Sequence, residues 1–183
     1  MKEIRIFNGA PADLGGRSEA ETAVYALLDS LGTAYATACH EAAFTMEQCA
    51  AVEQALGVPI CKNLFLCTHN KSGIYLLMMP GDKPFKTKYL SSQIGCSRLS
   101  FAGEDDMAEL LHIRPGAVSP MGLMNDIGRR VQLIIDRDLL ALQEFGCHPC
   151  VNTATLRLGM KDFLERYLPA VSHEAAIVEL PSV

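Results

Sequence analysis

Two apolar runs, Ile74 to Pro80 and Val131 to Ile135, restrict the folds open to this chain more than any other feature of its sequence. Both fall far short of the roughly 20 residues that cross a bilayer. Short β-rich runs of this kind, bounded by turn residues, read as buried strands. A further run, Asn63 to Thr68, precedes Gly73 to Met79. The polar loop His69-Asn70-Lys71-Ser72 joins them, so the pair reads as a central hairpin. With 183 residues, 49% hydrophobic and 20% charged, the chain can close a sizeable core around these strands, which excludes disorder.

Helix signals lie between the strands. Ser18 followed by Glu21 reads as a capping box opening a helix over 18–31, ended by Gly32. Thr45 with Gln48 repeats the signal for a helix to Leu56, stopped by Gly57-Val58-Pro59. Further helices are expected over 87–93, over 104–111 with acidic residues in the first turn, over 137–142 and over 161–167. Short strands are expected over 34–38, 98–101, 153–158 and 176–180. Strands joined as a hairpin and strands separated by helices together predict an α/β fold, a single domain over 1–183 in which helices surround a mixed, curved β-sheet. No internal repeat, low-complexity tract or long linker divides it.

The net charge of −5 argues against a broad electrostatic grip on nucleic acid, although Lys83, Lys86, Lys88 and Arg98 could form a local basic strip. Seven cysteines, an odd number scattered through apolar surroundings, suit reduced thiols in a cytosol. Met1 to Asn8 lacks the apolar core of a signal peptide. The expected location is cytoplasmic, with no membrane partner.

Individual residues leave the chemistry open. Lys62, at the mouth of the strand that begins at Asn63, could offer its ammonium to a phosphate or carboxylate, or could simply reach water. The loop Gly116-Ala117-Val118-Ser119-Pro120 could aim backbone amides at a developing oxyanion, or could be an ordinary connection. Cys147-His148-Pro149-Cys150 has no second ligand pair for zinc, and a strand-like stretch follows it where a redox motif needs a helix start. His148 could face a cleft or sit satisfied in the core. Serine-hydrolase, nucleotide-hydrolase and dinucleotide motifs are lacking.

Four segments occur in an order typical of one family: Cys61 to Leu66; Ser97 to Ala102; Gly116 to Pro120 with Gly122 to Asp126; and His148-Pro149 with Asn152 to Thr155. From about Ser18 to Leu180 the chain resembles the YbaK-type editing domains, which comprise the insertion domain of bacterial prolyl-tRNA synthetase and its free-standing, ProX-like relatives. The resemblance implies hydrolysis of the ester joining a wrongly attached amino acid to tRNA, alanine on proline tRNA above all. Alanine is smaller than proline, so sterics cannot keep it out of a proline site, and a second, smaller site must remove it.

By the same resemblance Lys62 meets the terminal adenosine and its phosphate, with Asn63 beside it. Gly116, Ala117, Val118, Ser119 and Pro120 bring amides to the aminoacyl carbonyl, and His148 shapes the amino-acid pocket. Water attacks directly, so neither metal nor cofactor is implied. Prolyl-tRNA synthetase is a candidate partner, and no synthetase catalytic domain fits this length, so editing is expected in trans. The alternatives are a deacylase for cysteine or serine and a non-catalytic module that binds tRNA or aminoacyl groups. A cavity between Lys62, Gly116 and His148 just large enough for alanine would fit the editing reading. One blocked by Met121 or Met124 would not.

Overall fold

The computed structural model describes residues 4–42 and 46–181. Its elements form two sheets. The first has the order β1-β2-β8-β7, all antiparallel, from β1 (Arg5–Asn8), β2 (Tyr35–Cys39), β7 (Glu144–Cys147) and β8 (Ala154–Gly159). The second has the order β5-β3-β4-β6-β9, from β3 (Lys62–Thr68), β4 (Ile74–Met79), β5 (Leu99–Phe101), β6 (Val131–Asp136) and β9 (Ala175–Val178). In it the β3–β4 hairpin is antiparallel, while β6 runs parallel to both β4 and β9. The expected mixed sheet is therefore present, accompanied by a second, antiparallel one.

The apolar runs have a direct physical cause. Along β4, Leu76 and Met78 enter the core shared with Phe145, Leu156, Leu158 and the helix α1 (Glu19–Ser30), while Leu77 and Met79 pack on the opposite face with Leu90 of α3 (Thr87–Ile94). A strand covered on both faces has no position where a polar side chain reaches water, so alternation disappears. The helix α2 (Met46–Leu56) covers the first sheet through Val52 and Leu56 against Ala38.

Besides sharing the core that Leu76 and Phe145 enter, the sheets are joined backbone to backbone, among the described residues, by an isolated parallel bridge between Ile60 and Gly146. Gly146 donates its amide to the Pro59 carbonyl at 2.8 Å, and Cys61 donates to the Gly146 carbonyl at 2.9 Å. Glycine is needed for this approach, because a Cβ there would lie 2.8 Å from Ile60 Cγ1 and 3.2 Å from Ile60 Cα.

Several sequence expectations change. The helix start at Ser18 keeps its serine cap, with the Glu21 amide 3.2 Å from Oγ, but the Glu21 carboxylate does not return to close the box. It is buried, 2.6 Å from Arg17 Nη1, and accepts from the Tyr25 hydroxyl at 2.8 Å. Lys83 leaves the expected basic strip, because its ammonium is buried between Asp136 and Asp138 at 2.8 Å from each. The expected helix over 137–142 is a 3-10 turn, Arg137–Ala141, and a second one, Pro120–Asn125, continues the glycine-to-proline loop. β1 and β7 were not expected at all. Thr45, read as a helix cap, lies outside the described residues.

Gly146→Ala should destabilise the fold by about 1–3 kcal/mol, the usual cost of an inserted methyl that a packed neighbour cannot accommodate. A urea melt that shows an unchanged midpoint would mean the bridge tolerates separation.

Candidate functional site

Lys62 opens β3, and His148 follows β7. Each stands two residues beyond the bridged pair Ile60 and Gly146, on strands that run parallel and then part into different sheets. Where two strands diverge, no backbone fills the wedge between them, and a crevice opens at their ends. Here it is a cavity of about 740 Å³ whose lining includes Lys62, Asn63, Gly116, Val118 and His148, with Ile60, Leu139 and Leu142 as apolar wall. Five residues expected at the site thus share one cavity. Neither Met121 nor Met124 lines it, and Met121 is buried in the core. The volume lies within the roughly 300–1,000 Å³ of sites that enclose ligands of drug size, far more than alanine alone requires.

The half-buried Lys62 donates from Nζ to the Lys83 carbonyl at 2.8 Å, which uses one of its three ammonium protons. It forms no ion pair among the described residues. Among the described residues the Asn63 side chain holds only long contacts of 3.5 Å to Cys61. Within the loop, Gly116 has a positive φ of 86°. The amide of Ala117 closes a turn on the Arg114 carbonyl at 3.1 Å, whereas the amides of Gly116 and Val118 have no partner among the described residues.

Ala117, Ser119 and Pro120 are set back from the cavity and buried. Their contribution is to the loop's position. The Ser119 hydroxyl donates to the His148 carbonyl and accepts from the Met121 amide at 3.1 Å, and the Tyr167 hydroxyl lies 2.6 Å from the Met121 carbonyl and 3.2 Å from that of Pro120. The loop and the histidine are therefore tied directly together.

His148 Nδ1 lies 2.8 Å from the Ala154 carbonyl, which can only accept, so Nδ1 carries the proton. Burial lowers the ring's pKa below the ordinary 6.5, outweighing the upward pull of that carbonyl, and the nearby His40 lowers it further. The neutral ring keeps Nε2 as an acceptor. Cys147 and Cys150 belong to the hydrophobic core, where burial raises both thiols, Cys150 to about 12. Among the described residues no group of three or more His, Cys, Asp or Glu could hold a metal ion. No described helix is long and apolar enough to cross a membrane.

A separate cavity of about 500 Å³ is lined by Arg5, Asp13, Arg17, Glu21 and Cys39, among others. It contains none of the expected residues, and its Arg17 is already engaged by Glu21 and the Asp13 carbonyl.

The model of one family, described as an aminoacyl-tRNA editing domain, matches residues 40–165, a span that holds every residue of the larger cavity. The chain belongs to the aminoacyl-tRNA editing domain family. This editing domain is 33% identical to the prolyl-tRNA editing protein ProX of Acetoanaerobium sticklandii over 88% of its own length and 98% of that protein's. It is 32% identical to prolyl-tRNA synthetase associated domain-containing protein 1 of Danio rerio, over 76% of each chain. Among solved structures, a putative trans-editing enzyme for prolyl tRNA synthetase shares the fold with a TM-score of 0.67 at 20% identity, over 90% of this chain and 99% of that one. Sequence reasoning missed Lys83, Asp136, Asp138 and Tyr167 as supports of this site. The acidic pair after the buried run ending at Ile135 was the one available signal for the ion pair.

Because folding lowers the His148 pKa, the folded state binds fewer protons than the unfolded chain between the two values. Its contribution to stability is complete above about pH 6.5 and is lost as pH falls through the folded value. Imidazole ¹⁵N spectra should show the Nδ1–H tautomer at neutral pH and a midpoint below 6.5. His148→Asn should flatten the acid dependence of stability, and a midpoint above 6.5 would contradict the assignment.

Proposed function

We propose that this editing domain is a deacylase acting in trans in the cytoplasm, hydrolysing the ester of a mischarged tRNA, with alanine on proline tRNA as its substrate. The observation that carries the proposal is the meeting of Lys62, the free loop amides of Gly116 and Val118, and the neutral His148 in one cavity. The names of its relatives, a prolyl-tRNA editing protein and prolyl-tRNA synthetase associated proteins, support the choice of tRNA.

Each group has a task that its chemistry suits. Lys62 offers its remaining ammonium protons to the phosphate at the tRNA terminus, a contact that supplies local affinity to a protein whose net charge is −5. The amides of Gly116 and Val118 receive the carbonyl oxygen as it becomes negative under attack by water, when fixed dipoles act most strongly. His148 accepts a hydrogen bond at Nε2 without readily taking the proton, so it orients the substrate's ammonium group rather than acting as a base. Asn63 lies beside Lys62 to meet the terminal ribose.

The cavity as a whole holds far more than alanine, and it suits the terminal aminoacyl-adenosine. Exclusion of larger residues then falls to the part of the cavity lined by Val118 and His148. No cofactor takes part. Transfer from prolyl-tRNA synthetase is the expected source of substrate.

The purified chain should release alanine from alanyl-tRNA bearing the proline anticodon, and Lys62→Ala should slow release about 100-fold or more, the scale of losing one positioning contact. A panel with serine and cysteine on the same tRNA should show slower release. Full activity of the Lys62→Ala variant would remove that residue's role. Tight binding without turnover on every member of the panel would leave a binding module instead.

A further inference from the structure

Lys62 does not hold its own position. Its ammonium donates to the backbone carbonyl of Lys83, and the turn that carries Lys83 is fastened beneath the cavity by an ion pair that the proposed reaction does not use. The Lys83 ammonium lies 3.0 Å from Asp136 Oδ1, 2.8 Å from Asp136 Oδ2 and 2.8 Å from Asp138 Oδ2. Lys83 is 6% exposed and Asp136 is fully buried. Taking these charges out of water is costly, and a hydrophobic pair of similar volume would often stabilise a fold as well or better. What the pair adds is geometric definition.

Both ends of the arrangement are anchored. Asp136 ends β6, and its Oδ1 also accepts from the Asp138 amide at 3.1 Å, which caps the 3-10 turn that carries Leu139 into the cavity wall. The Lys83 amide donates to the Pro80 carbonyl at 3.2 Å, and Gly81 sits so close to the bridged strand that a Cβ would lie 2.8 Å from the Ile60 carbonyl. The turn over 80–84 is thereby held between Ile60 and the end of β6, with the Lys83 carbonyl directed at Lys62.

We infer that Lys83, through its buried pairing with Asp136 and Asp138, is a positioning residue that aims its carbonyl at Lys62 and so sets where the Lys62 ammonium stands in the cavity. The catalytic consequence rests on the function proposed above, whereas the geometric one does not. A stability role alone would leave Lys62 ordered in any variant that still folds.

The test is ¹⁵N-lysine NMR of the full chain, comparing wild type with Lys83→Met and with the charge-neutral double variant Lys83→Met with Asp136→Asn, which serves if the single change leaves its buried carboxylate unable to fold. In wild type the Lys62 ammonium should give a resolved, slowly exchanging signal. In a folded variant whose amide spectrum is otherwise preserved, that signal should be lost to exchange with water, and alanyl-tRNA hydrolysis should fall about tenfold or more. An unchanged Lys62 signal in either folded variant overturns the inference, whatever the activity. Should wild type hydrolyse no aminoacyl-tRNA, the proposed function fails, and loss of the ammonium signal would still support the positioning of Lys62 by Lys83.

Discussion

Two backbone hydrogen bonds between residues 59–61 and Gly146 join a four-stranded sheet to a five-stranded one, and the rest of the structure is arranged around that contact. The contact brings Lys62 and His148 to the same wedge, since each lies two residues beyond it. The segment is held on other sides as well. Glu53 of α2 accepts the Ile60 amide at 2.7 Å, and Gly81 closes on the Ile60 carbonyl. Elements distant in sequence therefore converge on a few backbone atoms, so a small displacement of one would be felt by all.

Electrostatics follow from this geometry. The cavity's histidine is neutral because it is buried, and the buried Lys83 is balanced by carboxylates. Lys62 is half-buried and, among the described residues, meets a carbonyl and no carboxylate, so no counter-charge offsets it there. An acidic protein can thus present positive charge at one place without a basic surface. Loop and histidine share a direct link through Ser119, which ties the segment carrying the Gly116 and Val118 amides to the His148 side of the cavity.

Much of the fold was legible because burial leaves a local mark. The run through β4 is apolar on both faces, that through β6 is interrupted only by Gln132, which is exposed, and the hairpin loop over 69–72 is polar. β1 left no such mark, since it is a largely exposed edge strand, and β7 is only four residues long with a glycine inside it. The site was less legible for a different reason. Lys62, Gly116 and His148 each had an ordinary structural explanation, and nothing local encodes a bridge between Ile60 and Gly146. Order and flanking residues, through family resemblance, supplied the grouping that spacing could not. Lys83 shows the opposite failure, since a lysine in a basic stretch reads as solvated until its two carboxylate partners arrive from β6 and the turn after it.

In the proposed reaction an aminoacyl ester is bound in the wedge where the sheets part, with its carbonyl on the loop amides. A crystal structure with a non-hydrolysable alanyl-adenosine amide would decide it. The adenosine should lie beside Lys62 and Asn63, the alanyl carbonyl oxygen within hydrogen-bonding distance of the Gly116 or Val118 amide, and the ammonium at His148 Nε2. An analogue bound instead in the cavity of Arg5 and Arg17, or seated with its carbonyl turned away from the loop, would contradict it.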